Sequence, residues 1–482
     1  MISSGIAVLI IAFIVLMVMG VPIAYSIGIA TILTMFVSID FFPAISTISH
    51  RMSSGLNSFT LLAIPFFVLA GNIMNKGGIA LRLVELARVM AGKSTGGLAF
   101  VNIFANMLFG AISGSAAASA SAIGSIMGPE MEKEGYNKDF SAALNITSAT
   151  TGLSIPPSNV LIVYSLASGG ISISALFLAG YLPGILTGLA LMLVAWVLLK
   201  INRDGHNKGL LALAKLLLVL IPVGAGAFYF LTSSLNSSFK TGALIFVLLA
   251  VVSYLTFVNR SNVKNLVIKF WRALPSLILL VIVIGGIISG IFTATEASAV
   301  AVVYALGLSL IYKELKIKDL PEVILTSVKT TSIVLFLVST SMALAWIMAY
   351  ENIPQIVSSF LLSLSDNPLV LLLIINVILL AMGTFMDITP AILIFTPILL
   401  PIAETQLGID PIHFGIILIM NLSIGLCSPP VGSILFIGCS VAGTSVTKVF
   451  KPLLPLYIAM IVVLLLISYV PSISLWLPSL FQ

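Results

Sequence analysis

"LSIPPSN" (153–159) and "LCSPPVG" (426–432) decide how this chain is read. Each sets a proline pair inside a long apolar run. Proline has no N–H and its ring collides with the preceding helical turn, so a proline pair breaks a helix. In lipid a broken helix leaves backbone groups without partners, and it is tolerated only where it is buried in protein or lines a cavity. The two stretches therefore predict two broken membrane spans that face something polar.

Composition agrees. The chain is 60% hydrophobic and 8% charged, where soluble domains carry about a quarter charged residues. Apolar stretches long enough to cross a bilayer recur along its whole length. The start, "MISSGIAVLIIAFIVLMVMG", has no basic region and no cleavage site, and reads as a retained span rather than a signal peptide. The net charge of +6 fits basic cytoplasmic loops and does not call for nucleic acid. Cys427 and Cys439 make neither a metal nor a redox motif. His50, His206 and His413 are expected in loops and show no ligand spacing. "AGKST" (91–95) resembles the tail of a phosphate loop, but the glycine required five residues before Gly92 is Ala87. No nucleophile–base set or carboxylate pair is present, which argues against an enzyme.

Laying Pro156 on Pro429, an offset of 273, also lays Gly152 on Gly425 and Gly110 on Gly383. The charges orient the two halves, because Lys and Arg favour cytoplasmic loops. The third span of the first half is followed by Lys76, Arg82, Arg88 and Lys93, whereas its counterpart "ENIPQIVSSFLLSLSDNP" has no Lys or Arg. Conversely, "YKELKIKDLPEVILTSVK" (312–329) is basic, and its counterpart at 39–56 has only Arg51. Each half is basic where the other is not, the mark of an inverted repeat.

The expected fold is an all-α polytopic membrane protein with inverted repeats over 1–204 and 270–482 and about 12 spans. Each repeat has five spans and a re-entrant hairpin, at about 97–128 and about 370–400. The broken spans fall at about 140–172 and 413–445, and two further spans lie in 205–269. Residues 1–37 and 274–312 each read as two short spans, meeting at "GVP" and "GIFTATE". The stretch 79–90 is amphipathic and is expected to lie in the interface plane.

Unwound spans free carbonyls that suit Na⁺, and half-helix N-termini attract anions. Hydroxyl and amide groups crowd both breaks. Thr150, Ser154, Ser158 and Asn159 at the first, and Asn421 and Ser433 at the second, are candidate substrate contacts. Asp387, in the tip of the second hairpin, is a functional candidate because intramembrane carboxylates are costly, and equally a cap for the helix that follows. Glu296 reads as a helix-start carboxylate.

At these residues the chain resembles a known family. "FGAISGSAAASASAIGSIMGPEM" (109–131), "TTGLSIPPSN" (150–159), "GIFTATEASAV" (290–300) and "MGTFMDITPAILIFTPILLP" (382–401) look like the large membrane subunit of tripartite ATP-independent periplasmic (TRAP) transporters. The likeness covers nearly the whole chain except 205–269, where the two spans exceed the family's usual short linker. It implies a Na⁺-driven importer of organic acids in a bacterial or archaeal inner membrane, working as an elevator without a further cofactor. It also implies two partners, a soluble periplasmic binding protein and a small four-helix membrane subunit. Carried over by position, one sodium site involves Gly110, Ser113, Gly152, Ile155 and Pro157. The other involves Gly383, Met386, Thr389, Gly425 and Pro430. Asp387 matches the family's Met-Asp motif. A stand-alone carboxylate carrier of the same superfamily is the alternative; a membrane enzyme and a passive channel fit less well.

Overall fold

A computed structural model describes residues 4–78, 81–82, 84–85, 87–88, 96–204, 263–429 and 431–481. The described residues are helical and contain no strand. Seven of their helices are long and apolar enough to cross a membrane. The expected spans within 205–262, and His206, lie outside the described residues.

Helix boundaries recur at the offset read from the prolines. Moved by 273, Gly97–Ser113 falls on 370–386, against Pro368–Phe385; Lys138–Thr151 falls on 411–424, against Pro411–Gly425. The hairpins are Gly97–Ser113 with Ala116–Lys133, and Pro368–Phe385 with Ile388–Thr405. The broken spans are Lys138–Thr151 with Asn159–Ala167, and Pro411–Gly425 with Ser433–Ala442. The short pairs also take the expected form: Ser4–Val18 with Ile23–Ser38, and Val263–Ile288 with Ala294–Ile311. Val263–Ile288 begins ahead of residue 270, the expected start of the second repeat. At the "GIFTATE" turn Thr293 and Glu296 form a capping box, with the Thr293 N–H 2.8 Å from Glu296 Oε2, so this carboxylate starts a helix as expected. His413 departs from expectation. It is buried inside Pro411–Gly425, with Nδ1 2.6 Å from Ser474 Oγ, because the helix starts at Asp410, whose carboxylate accepts the Ile412 and His413 N–H groups.

Two groups of helices emerge from the packing. In one, Leu320–Tyr350 packs on Ile23–Ser38, Phe41–Leu56 and Ala63–Lys76, and Ala294–Ile311 packs on Ala63–Lys76 and Val263–Ile288. In the other, each hairpin packs on the first helix of its own broken span. The returning arms cross over: Ala116–Lys133 packs on Ser433–Ala442, and Ile388–Thr405 packs on Asn159–Ala167. This exchange between halves is what a two-fold relation between inverted repeats produces.

Lys138–Thr151 is buried on every side from Phe140 onward, and a fully surrounded helix must satisfy its polar side chains internally. Asn106 does most of this. Its Nδ2 lies 3.0 Å from Asn145 Oδ1, 2.9 Å from Ser148 Oγ and 2.9 Å from Asn102 Oδ1, and its Oδ1 accepts from Ser119 Oγ at 2.8 Å. Asn106→Leu would strand these groups at about 1–3 kcal/mol each. The expected result is a lower melting temperature for the purified protein, with Ser125→Ala, at an exposed position, unchanged.

Candidate functional site

Each hairpin crosses its broken span through a pair of glycines. A Cβ on Gly110 would stand 2.7 Å from Gly152 Cα, and one on Gly152 would meet Gly110 in return. In the second half a Cβ on Gly425 would stand 2.5 Å from Gly383 Cα, and one on Gly383 would lie 2.9 Å from Leu422 O. Only glycine allows backbones to approach this closely. The four glycines are the ones the offset placed in register.

The first break is buried from Thr151 to Ser158. Neither Pro156 nor Pro157 can donate, and the peptide bond between them is cis. The carbonyls of Gly152, Ser154, Ile155, Pro156 and Pro157 accept no hydrogen bond among the described residues. Buried backbone groups are almost always paired, so these carbonyls are exceptional. In the second break the carbonyls of Cys427 and Pro429 are likewise without a donor among the described residues. Pro430 lies outside the described residues.

Between the two groups of helices lies a cavity of about 600 Å³. Four helix N-termini border it: the returning arms of both hairpins, through Ala116 and Ile388, and the second helices of both broken spans, through Val160 and Ile434. Ser115 caps the first of these by accepting from the Ala118 N–H at 3.2 Å. The N-caps of the other three, Ser158, Asp387 and Gly432, make no side-chain cap bond. Free N–H groups at a helix N-terminus carry partial positive charge and bind anions. Among the described residues lining the cavity, Asp387 alone is charged.

The candidate residues divide around this cavity. Ser113, Asn159, Asp387, Thr389 and Ser433 line it. Gly110, Gly152, Ile155, Pro157, Gly383, Met386 and Gly425 do not; the four glycines lie at the crossings and Ile155 and Pro157 in the first break. Thr150, Ser154, Ser158 and Asn421 also stand away from it. Thr150 Oγ1 turns back to Thr147 O at 2.8 Å and Ser158 Oγ to Leu153 O at 2.5 Å, while Asn421 Nδ2 meets Asn376 Oδ1 at 2.6 Å. Asn72, Asn75 and Thr330 border the cavity from the other group of helices and were not singled out. Their signal was present: two amides three residues apart in an apolar span share one helix face.

Residues 10–473 match the family described as the tripartite ATP-independent periplasmic transporter, DctM component. The chain belongs to this family. It is 51% identical over 470 residues, 98% of this chain and 96% of the relative, to the uncharacterized protein YgiK of Salmonella typhimurium. It is 33% identical to the C4-dicarboxylate TRAP transporter large permease protein DctM of Rhodobacter capsulatus, covering 96% of this chain and 97% of that one. With the sialic acid TRAP transporter large permease protein SiaM of Vibrio cholerae it shares 35% identity, covering 96% of each. DctM and SiaM are named as transporter permeases, not enzymes. Among solved structures, the Alcanivorax borkumensis YdaH transporter matches 88% of this chain and 87% of its own, with a TM-score of 0.57 and 13% identity, a likeness of fold alone.

Proposed function

We propose that this DctM-family permease is a Na⁺-coupled importer of a small organic acid, working in a bacterial or archaeal inner membrane with a soluble periplasmic binding protein and a small four-span membrane subunit. The observation that carries this reading is the convergence of four helix N-termini, with no basic side chain among the described lining residues, on one cavity between two hairpin tips. A carboxylate there is held by N–H groups and helix dipoles. The unpaired carbonyls of the two breaks supply oxygen ligands for the co-transported Na⁺, together with Ser113, Met386 and Thr389, which the family likeness assigns to the same sites. Their burial and lack of donors support a cation at that level.

The elevator movement follows from the two packing groups. Hairpins, broken spans and the helices Ile173–Asp204 and Val446–Tyr469 move together against the remaining helices. The cavity reaches Asn75 and Thr330, neighbours of Lys76 and Lys329 at the basic ends of their spans, so this conformation opens toward the cytoplasm. Sodium drives uptake only by binding one state of the loaded domain better than the other.

Reconstitution tests the reading. Proteoliposomes would hold this chain and its small subunit, with the cognate binding protein added or withheld, in Na⁺ or in K⁺. Uptake is expected only with Na⁺ and binding protein together. Uptake without the binding protein would point to a stand-alone carrier, and uptake indifferent to Na⁺ would overturn the coupling.

A further inference from the structure

We infer that the cavity is gated unequally: a strong apolar seal closes its outer side and a weak polar one its inner side, so the empty carrier rests open to the cytoplasm. This rests on the carrier reading above and assigns the resting bias to particular side chains.

The repeat offset of 273 gives each gate residue a counterpart in the other half. Moved by it, Ala63–Lys76 falls on 336–349, the outer part of Leu320–Tyr350, and Ala116–Lys133 falls on 389–406, against Ile388–Thr405. An inner gate therefore sets Ala116–Lys133 against Ala63–Lys76, and an outer gate sets Ile388–Thr405 against Leu320–Tyr350. The outer pair is packed together, and its Leu344 and Met348 are buried. On the inner pair Asn75, Ser121 and Ser125 are exposed.

The counterparts differ in kind. Asn72 and Asn75 stand where the outer gate has Ala345 and Met348. On the hairpin arms, Ser121, Ala122 and Ser125 stand where it has Ile394, Phe395 and Ile398, which pack on the core. Closing the outer gate buries large apolar side chains from both faces, and each such burial is strongly favourable. Closing the inner gate buries small residues and two amides. Asn72 spends its Nδ2 on Ser327 Oγ at 2.8 Å, and any amide group shut away from water needs a new partner. Both differences favour the state in which the outer gate is shut and the inner one open.

Thiol accessibility tests this without a substrate. The full chain in nanodiscs, free of Na⁺ and of any acid, is treated with a water-soluble maleimide. Cys427 and Cys439 are buried, so the unaltered protein is the blank, and labelling there reports unfolding. Val68→Cys, at the cavity wall, reports the inner opening, and Ser341→Cys, at the counterpart position, reports the outer one. Val68→Cys should react about 10-fold faster than Ser341→Cys, or more. Asn75→Met with Ser125→Ile gives the inner gate the outer gate's side chains at two exposed positions, which spares the fold. This pair should raise Ser341→Cys labelling about 10-fold, the effect of burying one added large apolar side chain. Met348→Asn with Ile398→Ser weakens the outer gate and should raise it too. Ser341→Cys reacting as fast as Val68→Cys or faster, or unmoved by both double substitutions, would overturn the inference. Uptake by the unaltered protein decides the carrier reading separately, so the two can fail apart.

Discussion

Gly152→Ala is expected to reduce Na⁺-dependent uptake about 10- to 100-fold, while Gly128→Ala leaves it unchanged, because only the first adds a methyl where there is no room. Both substitutions add the same group, but a Cβ at Gly152 would strike the backbone of Gly110, and one at Gly128 would have nothing within 4 Å. Overpacking a tight contact costs about 1–3 kcal/mol, and here the obstacle is main chain, which cannot rotate away as a side chain can. Relief comes only by parting hairpin 1 from its broken span. Gly152 also carries one of the carbonyls proposed to meet Na⁺, so parting the crossing should also raise the Na⁺ concentration for half-maximal uptake. At Gly128, inside the helix Ala116–Lys133, alanine should raise helix stability by about 0.5–1 kcal/mol. Gly425→Ala against Gly383 should repeat the Gly152 result in the other half. Equal uptake by Gly152→Ala and Gly128→Ala would show that the crossing is packing without a part in ion binding.

How much of this was legible before the structure depends on the kind of residue. The glycine crossings and proline breaks could be placed because glycine and proline act through the backbone, and their spacing survives when side chains diverge. Hydroxyl side chains were harder. Thr150 and Ser158 stand at the break in sequence, yet both hydroxyls turn to carbonyls three to five residues back. Ser and Thr have this choice in any helix or turn, so proximity to a break does not give direction. Asn421 was misdirected by a partner 45 residues away, Asn376, which no local pattern reveals. Conversely, the wall formed by Asn72, Asn75 and Thr330 belongs to helices without breaks. It depends on which faces meet across the two packing groups, a tertiary fact. The inverted relation of the halves was readable from charge, since basic loops that fall at alternate places in the two halves constrain the direction of their spans.

Asp387 allows the sharpest separation of a structural role from a functional one. As the N-cap of Ile388–Thr405 it stands where Asp, Asn and Ser are interchangeable within a few tenths of a kcal/mol. If capping were its task, Asp387→Asn and Asp387→Ser would transport like the parent. The side chain, however, makes no cap bond and borders the cavity as the one charged group among its described lining residues. In the proposed function this carboxylate meets the ligand, and hydrogen bonds to charged groups contribute about 1.5–3 kcal/mol. Asp387→Asn is therefore expected to lower uptake about 10- to 100-fold with the melting temperature of the ligand-free protein within a degree or two of the parent. An Asp387→Asn protein that transports normally would return this residue to the helix start.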